Sequence, residues 1–196
     1  MPRPPIDHFR FIAPLYAHVF GGDGAEAKSI PALALPVDGW LLDAGGGTGR
    51  VSQTLRDQTG GVVVLDVSSG MLAQTRQKPG IFGACGEVER LPFADGQFER
   101  ILIVDAFHHF FEHEAAARDL WRVLKPGGRL VVLEPNIEKW PVKLVALGET
   151  LLLMRSRFYG PAAMRHMFAA LPGAGVSVDT DTDPFYIQLL AEKVNV

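Results

Sequence analysis

The chain has 196 residues and a mass of 21.3 kDa, enough for one ordinary domain and short for two. Apolar residues make up 47% and charged residues 21%, a balance that excludes a disordered chain and lets about 70% of the unfolded surface be buried. Lys and Arg number 19 against 22 Asp and Glu, for a formal charge of −3, and Cys85 is the only cysteine; nucleic acid is not the expected partner, and an intrachain disulfide framework or multi-cysteine zinc site is excluded.

The first residues, Met1-Pro2-Arg3-Pro4-Pro5, lack the apolar stretch of a secretion signal. No uncharged run reaches the ~20 residues that span a bilayer, so a cytoplasmic location is expected. Over residues 1–35, Phe9, Phe11, Ile12, Leu15, Tyr16, Val19 and Phe20 have helical spacing before the break at Gly21-Gly22-Asp23-Gly24, which reads as a helical cover. Residues 36–135 alternate strand-like and helix-like segments, the pattern of a parallel sheet covered on both faces. Trp40–Leu42, Val62–Leu65, Ile101–Val104 and Leu130–Leu133 are continuous apolar runs, as expected of strands buried on two sides. Helices are expected over Thr48–Gln58, Ser69–Gln77 and Glu112–Leu124, the last stopped by Lys125-Pro126-Gly127-Gly128, where a cation favours the helix C-terminus. Residues 136–170 read as helical and acceptor-side, with a basic fringe and an apolar stretch, Leu144–Met154, read first as a core helix and otherwise as a lid, a dimer surface or a lipid-facing patch. In residues 171–196, Gly175–Val178 and Phe185–Leu190 are joined by a short polar turn, so the pair is a hairpin and one strand runs antiparallel. All 196 residues are read as a single domain.

The most informative stretch is Leu41-Leu42-Asp43-Ala44-Gly45-Gly46-Gly47-Thr48-Gly49-Arg50, between a predicted strand and a predicted helix. Successive glycines remove the Cβ atoms that keep a ligand from the backbone and admit positive φ angles. Arg50 stands where a dinucleotide G-x-G-x-x-G needs its last glycine, and no Gly-Lys-Ser/Thr ends the loop, which disfavours both NAD and a nucleoside triphosphate. Asp66 ends the next strand, 17 positions after Gly49, where a carboxylate reaches ribose hydroxyls; the competing role is capping of the following helix.

These segments resemble class I S-adenosylmethionine-dependent methyltransferases, in the broad group that includes the C-methyltransferases of menaquinone and ubiquinone biosynthesis. Asp43–Gly49 resembles the group's acidic-x-G-x-G-x-G motif, and Asp66-Val67-Ser68 with Met71-Leu72 its D-x-S-x-x-M-L. Gly86–Phe93 resembles G-D-A-x-x-L-P-F, and Arg122–Gly128 matches R-V-L-K-P-G-G. The resemblance implies an α/β fold with a seven-stranded, mostly parallel, doubly wound Rossmann-like sheet whose last strand is antiparallel. It implies S-adenosyl-L-methionine as methyl donor, released as S-adenosyl-L-homocysteine, and a small-molecule or lipid-like acceptor. Carried over by position, Asp43, Gly45, Gly47 and Gly49 belong to the donor loop, with Gly45 and Gly47 along the methionine part. Asp66 holds the ribose, Val67 and Met71 flank adenine, Glu87 and the Val88 backbone meet its edge, and Asp105 follows the fourth strand beside the donor. Tyr16 closes over the donor. Glu87 replaces the usual aspartate, and Ala17 replaces an acid after Tyr16.

Asp105-Ala106-Phe107-His108-His109 follows the fourth strand, where open parallel sheets bind ligands. His108 and His109 are the candidate catalytic groups, as a general base, against a packing or capping role. His109 and His113 have i,i+4 spacing, but no third ligand is evident, so no metal is expected. Peripheral membrane contact and a homodimer stay open. The competing function is a methyltransferase-like nucleoside sensor or scaffold without catalysis.

Overall fold

A computed structural model describes residues 30–151 and 156–194. The expected N-terminal cover, with Tyr16, lies outside the described residues.

The strands are β1 (Trp40–Ala44), β2 (Gly61–Asp66), β3 (Ile81–Cys85), β4 (Phe98–Val104), β5 (Leu124–Pro135), β6 (Ala174–Asp179) and β7 (Tyr186–Lys193). They form a seven-stranded sheet in the order β3-β2-β1-β4-β5-β7-β6. The first five are parallel to one another, while β7 runs antiparallel to both β5 and β6. The fold is the α/β, Rossmann-like sheet that the sequence implied, with the last strand reversed.

The continuous apolar runs have the two-sided burial expected of them. Successive side chains point to opposite faces, so Leu42, Val63, Leu65, Ile101, Ile103, Leu130 and Val132 enter one core while Leu41, Val62, Val64, Leu102 and Val131 enter the other. The first core is closed by α3 (His113–Val123) and α5 (Pro161–Ala169), through Ala116, Leu120, Met164 and Phe168. The second is closed by Leu55 of α1 (Arg50–Leu55) and Leu72 of α2 (Ser69–Leu72). Burying a side chain as completely as Phe168 contributes about 1.5–3 kcal/mol.

Four sequence expectations are corrected. The first two helices are shorter than expected: α1 starts at Arg50 because Gly49 is left-handed at its N-cap, and α2 stops at Leu72 before a 3₁₀ turn over Thr75–Gln77. Thr75 Oγ1 donates to the Leu72 carbonyl at 2.8 Å, a local bond that competes with the helix ladder. The edge strand β3 is absent from the runs found by hydropathy because it exposes Phe82 and carries Gly83, where a Cβ would sit 2.8 Å from Thr75 Oγ1. Lys125 pairs with Glu99 at 3.0 Å; the cation at the end of α3 is Lys193 of β7, which donates to the carbonyls of Trp121 and Leu124 at 2.7 Å each. Finally, α4 (Trp140–Leu151) is not a core helix. Trp140, Leu144 and Leu147 are exposed, while Val142 and Glu149 are buried. No described helix is long and apolar enough to cross a membrane.

Candidate functional site

The strand order reverses direction between β1 and β4, the place where an open α/β sheet leaves a crevice beyond its strand ends. The glycine loop after β1 enters that crevice. Gly45, Gly47 and Gly49 have φ of 76°, 55° and 69°, the left-handed region that costs other residues ~1–2 kcal/mol. Their surroundings differ. A Cβ on Gly45 would lie 2.6 Å from Ala106 Cβ, and one on Gly49 would meet Val64 at 3.2 Å and Thr75 at 3.4 Å. Those two glycines let the loop press on the segment after β4 and on the sheet. Among the described residues a Cβ on Gly47 would find only Asp66 Oδ2, at 3.9 Å, so within them this position opens onto space.

Asp66, at the end of β2, faces that space. Its Oδ2 accepts from the Gly47 N–H at 3.0 Å and its Oδ1 from the Ser68 N–H at 2.8 Å. Capping of α2 falls instead to Ser68, whose Oγ accepts from the Met71 N–H. Asp43 is buried beneath the loop, where its Oδ2 accepts from Ser52 Oγ at 2.6 Å and its carboxyl fills the place of a Cβ on Gly46. It shapes the loop from below. Beyond Asp66, Val67 is exposed and Met71 half-buried. Across from them Glu87 is exposed and Val88 is buried at the start of a 3₁₀ turn. Gly86 N–H donates to the Asp66 carbonyl at 3.1 Å, which brings the β2 and β3 ends to one rim.

The histidine loop forms the other wall. Asp105 leaves β4 with φ 51° and its Oδ2 receives the Tyr186 hydroxyl at 3.5 Å. A 3₁₀ turn over Phe107–His109 follows. Glu134, buried at the end of β5, organises this turn: Oε1 accepts from the N–H groups of Ala106 and Phe107 at 2.8 and 2.7 Å, and Oε2 meets His108 Nδ1 at 2.5 Å. The carboxylate is an acceptor, so His108 Nδ1 carries the proton in this contact. Burial opposes a charge on His108, but the charge and hydrogen bond of Glu134, with Glu149 and Asp105 also contributing, outweigh it and raise its pKa. His109 goes the other way: burial, helped by His108, pushes its pKa well below the usual histidine value. Its Nδ1 lies 3.1 Å from Ser156 Oγ. Phe158 stacks on the His108 ring with centroids 4.3 Å apart, and the Arg157 N–H donates to the His108 carbonyl at 2.8 Å. Just outside, His109, Phe110, Phe111, His113 and Arg157 line a cavity of about 220 Å³.

His109 and His113 are not a ligand pair. The turn ends at His109 and α3 begins at His113, so the two do not share a helix face; His113 packs on Phe107 and Tyr159. The group that does approach the histidine pair is Glu149 of α4, one ligand atom from each of His108, His109 and Glu149 lying within 4.8 Å of the others. Sequence reasoning missed Glu134, Glu149 and Ser156. Glu134 left a trace in the sequence, an acid closing the buried run Leu130–Leu133; Glu149 and Ser156 left none.

A family model described as "Methyltransferase domain" matches residues 42–132. These residues are thus similar to methyltransferase domains. The match begins in β1 and ends in β5, taking in the glycine loop, Asp66 and the histidine turn. The chain is 32% identical over 166 residues to the ubiquinone/menaquinone biosynthesis C-methyltransferase UbiE of Citrobacter koseri, covering 80% of this chain and 59% of the relative. It is 39% identical over 101 residues to the demethylmenaquinone methyltransferase of Beutenbergia cavernae, covering 51% of this chain and 42% of that one. The chain thus spans less than two thirds of the length of either relative. Among solved structures, an S-adenosylmethionine-dependent methyltransferase of Thermotoga maritima, described as a possible histamine N-methyltransferase, superposes with a TM-score of 0.75 at 20% identity. That superposition covers 94% of this chain and 98% of the other. The likeness of fold therefore extends past the matched residues to β6 and β7.

Proposed function

We propose that the chain moves a methyl group from S-adenosylmethionine to a small or lipid-like acceptor with an acidic oxygen or carbon, such as a reduced quinone. The observation that carries this reading is the pairing of an open glycine position, Gly47, with the Asp66 carboxylate turned toward it. The curated relatives, both quinone-pathway methyltransferases by name, support the acceptor class.

When bound, S-adenosylmethionine supplies a methyl group made electrophilic by its sulfonium. The chain's own part is to hold and align. Gly45 and Gly47 let the methionine part lie on the backbone, and Asp66, already held by two N–H groups, accepts from the ribose hydroxyls. Val67 and Met71 cover one adenine face while Glu87 and the Val88 amide meet its edge. Asp43 and Gly49 keep the loop in shape from beneath, Asp105 sets the exit from β4, and Tyr16 closes the donor side. His108 and His109 bound the acceptor side, where the acceptor's acidic group is held. Alignment of the two reactants in a closed site supplies ~7–11 kcal/mol of barrier reduction, which makes a triad unnecessary. The membrane-facing face would be Trp140, Leu144 and Leu147 of α4, lying against lipid where an isoprenoid acceptor resides.

The test is methyl transfer from isotopically labelled S-adenosylmethionine to a panel of demethylated quinols, phenols and amines, read by mass spectrometry. A labelled quinol is expected. Donor binding with no product from any acceptor would replace this reading by a nucleoside-binding sensor.

A further inference from the structure

Glu149 is placed against its own chemistry. It lies on α4, the helix whose other large side chains Trp140, Leu144 and Leu147 face outward. Yet Glu149 is only 5% exposed, and among the described residues neither carboxyl oxygen has a hydrogen-bond partner. An enclosed carboxylate without a partner is unfavourable, and a native fold retains one where something cationic satisfies it. The nearest candidate groups are the rings of His108 and His109. His108 Nε2, in a residue with 1% exposure, is also buried without a partner. A ring nitrogen of each histidine and a Glu149 carboxyl oxygen lie within 4.8 Å of one another, and no hydrogen bond joins Glu149 to either ring.

We propose that His108, His109 and Glu149 bind a divalent transition-metal ion, zinc foremost, between the histidine turn and α4. Two imidazoles and one carboxylate are the donor set of an open zinc site, with a fourth position left for an exogenous oxygen. The surrounding groups are those that metal-binding histidines require. Glu134 accepts from the Nδ1–H of His108 at 2.5 Å, leaving Nε2 as the free ring nitrogen, and Ser156 Oγ engages Nδ1 of His109 at 3.1 Å. Such partners fix ring orientation and tautomer. Donor atoms on a tetrahedral zinc sit about 3.3 Å apart, given Zn–N and Zn–O bonds of ~2.0–2.1 Å, so modest rotation of these side chains closes the gap around the ion. Phe158, stacked on His108, and the buried α4 side keep bulk water away. The ion's role rests on the methyl-transfer reading: the open position would hold the acceptor's hydroxyl oxygen and favour its deprotonated form. Metal binding itself does not depend on that reading.

The experiment is titration of chelator-treated, refolded-checked full-length protein with Zn²⁺ by calorimetry and with Co²⁺ by visible absorption. The comparison is with Glu149→Gln, His109→Ala and, as a control on the discarded i,i+4 pair, His113→Ala. One equivalent of metal is expected in the wild type and in His113→Ala, with Co²⁺ bands of a four- or five-coordinate site. Affinity should fall at least tenfold in Glu149→Gln and His109→Ala. Circular dichroism and a cooperative thermal unfolding transition establish that each variant is folded. A folded wild type that takes up no metal overturns the proposal, as does uptake unchanged in Glu149→Gln and His109→Ala. Failure of S-adenosylhomocysteine to bind while metal uptake stays intact would count against the methyl-transfer reading alone.

Discussion

At the scale of single residues, the site depends on a difference between neighbouring glycines. Gly45 and Gly49 are occupied by protein on the side where a Cβ would project, whereas among the described residues Gly47 is bounded only by Asp66 Oδ2 at 3.9 Å. Gly47→Ala should therefore fold, with a stability loss of about 1–2 kcal/mol from the left-handed backbone, and lose donor affinity because the new methyl enters the hollow. Chemical denaturation and calorimetry separate the two effects. Asp66→Ala should weaken S-adenosylhomocysteine binding at least tenfold, the loss of one or more charged hydrogen bonds of ~1.5–3 kcal/mol each; unchanged affinity would return Asp66 to a purely local role. These residues were legible in the sequence because their chemistry is local: a glycine run after a strand, and an acid at the end of the next. Glu134 and Glu149 were not, since each acts on His108 from 26 and 41 positions away. The first contact is seen in the 2.5 Å bond and the second only once α4 is folded over the turn.

At the scale of elements, two of the recognised motifs turn out to be one structure. Arg122 of α3 donates to the carbonyls of Leu91 and Phe93 and pairs with Asp119, which itself accepts from the Leu91 N–H at 2.5 Å. The Leu91-Pro92-Phe93 loop is thus pinned to α3, and Glu89, just before it, accepts from the N–H groups of Phe111 and Glu112. The pinned loop sets where Glu87 and Val88 stand relative to the donor rim. Burial alone would raise the pKa of Asp119, but the Arg122 and Leu91 hydrogen bonds and the Arg122 charge prevail and lower it. A depressed carboxyl stabilises the fold above its unfolded pKa of about 3.9 and loses that contribution as pH falls through the folded value. Asp119→Asn should therefore cost about 1–2 kcal/mol at pH 7, the lower part of the charged-bond range because Arg122 is a third exposed. The difference from wild type should shrink below about pH 4, as urea unfolding at the two pH values would show; a constant difference would assign the loss to packing. Element type was legible wherever burial is two-sided, as in β1, β2, β4 and β5. It failed at β3, and at α4 the helix was legible but not its exposure, because tertiary placement rather than pattern decides which side chains are covered.

For the whole molecule, the sheet order brings the glycine loop and the histidine turn together although their centres are some sixty residues apart. A Cβ on Gly45 would touch Ala106 at 2.6 Å, so donor wall and acceptor wall share a boundary at the strand reversal between β1 and β4. The antiparallel β7 places Tyr186 beside Asp105 and Lys193 at the end of α3, so the C-terminal hairpin supports both the exit from β4 and the helix behind it. The central claim is that this crevice grips an adenosylated sulfur compound. Calorimetric titration of the full chain with S-adenosylhomocysteine measures it most directly: one equivalent should bind, and Asp66→Ala should bind at least tenfold more weakly. A folded wild type that shows no binding at millimolar ligand would contradict the account.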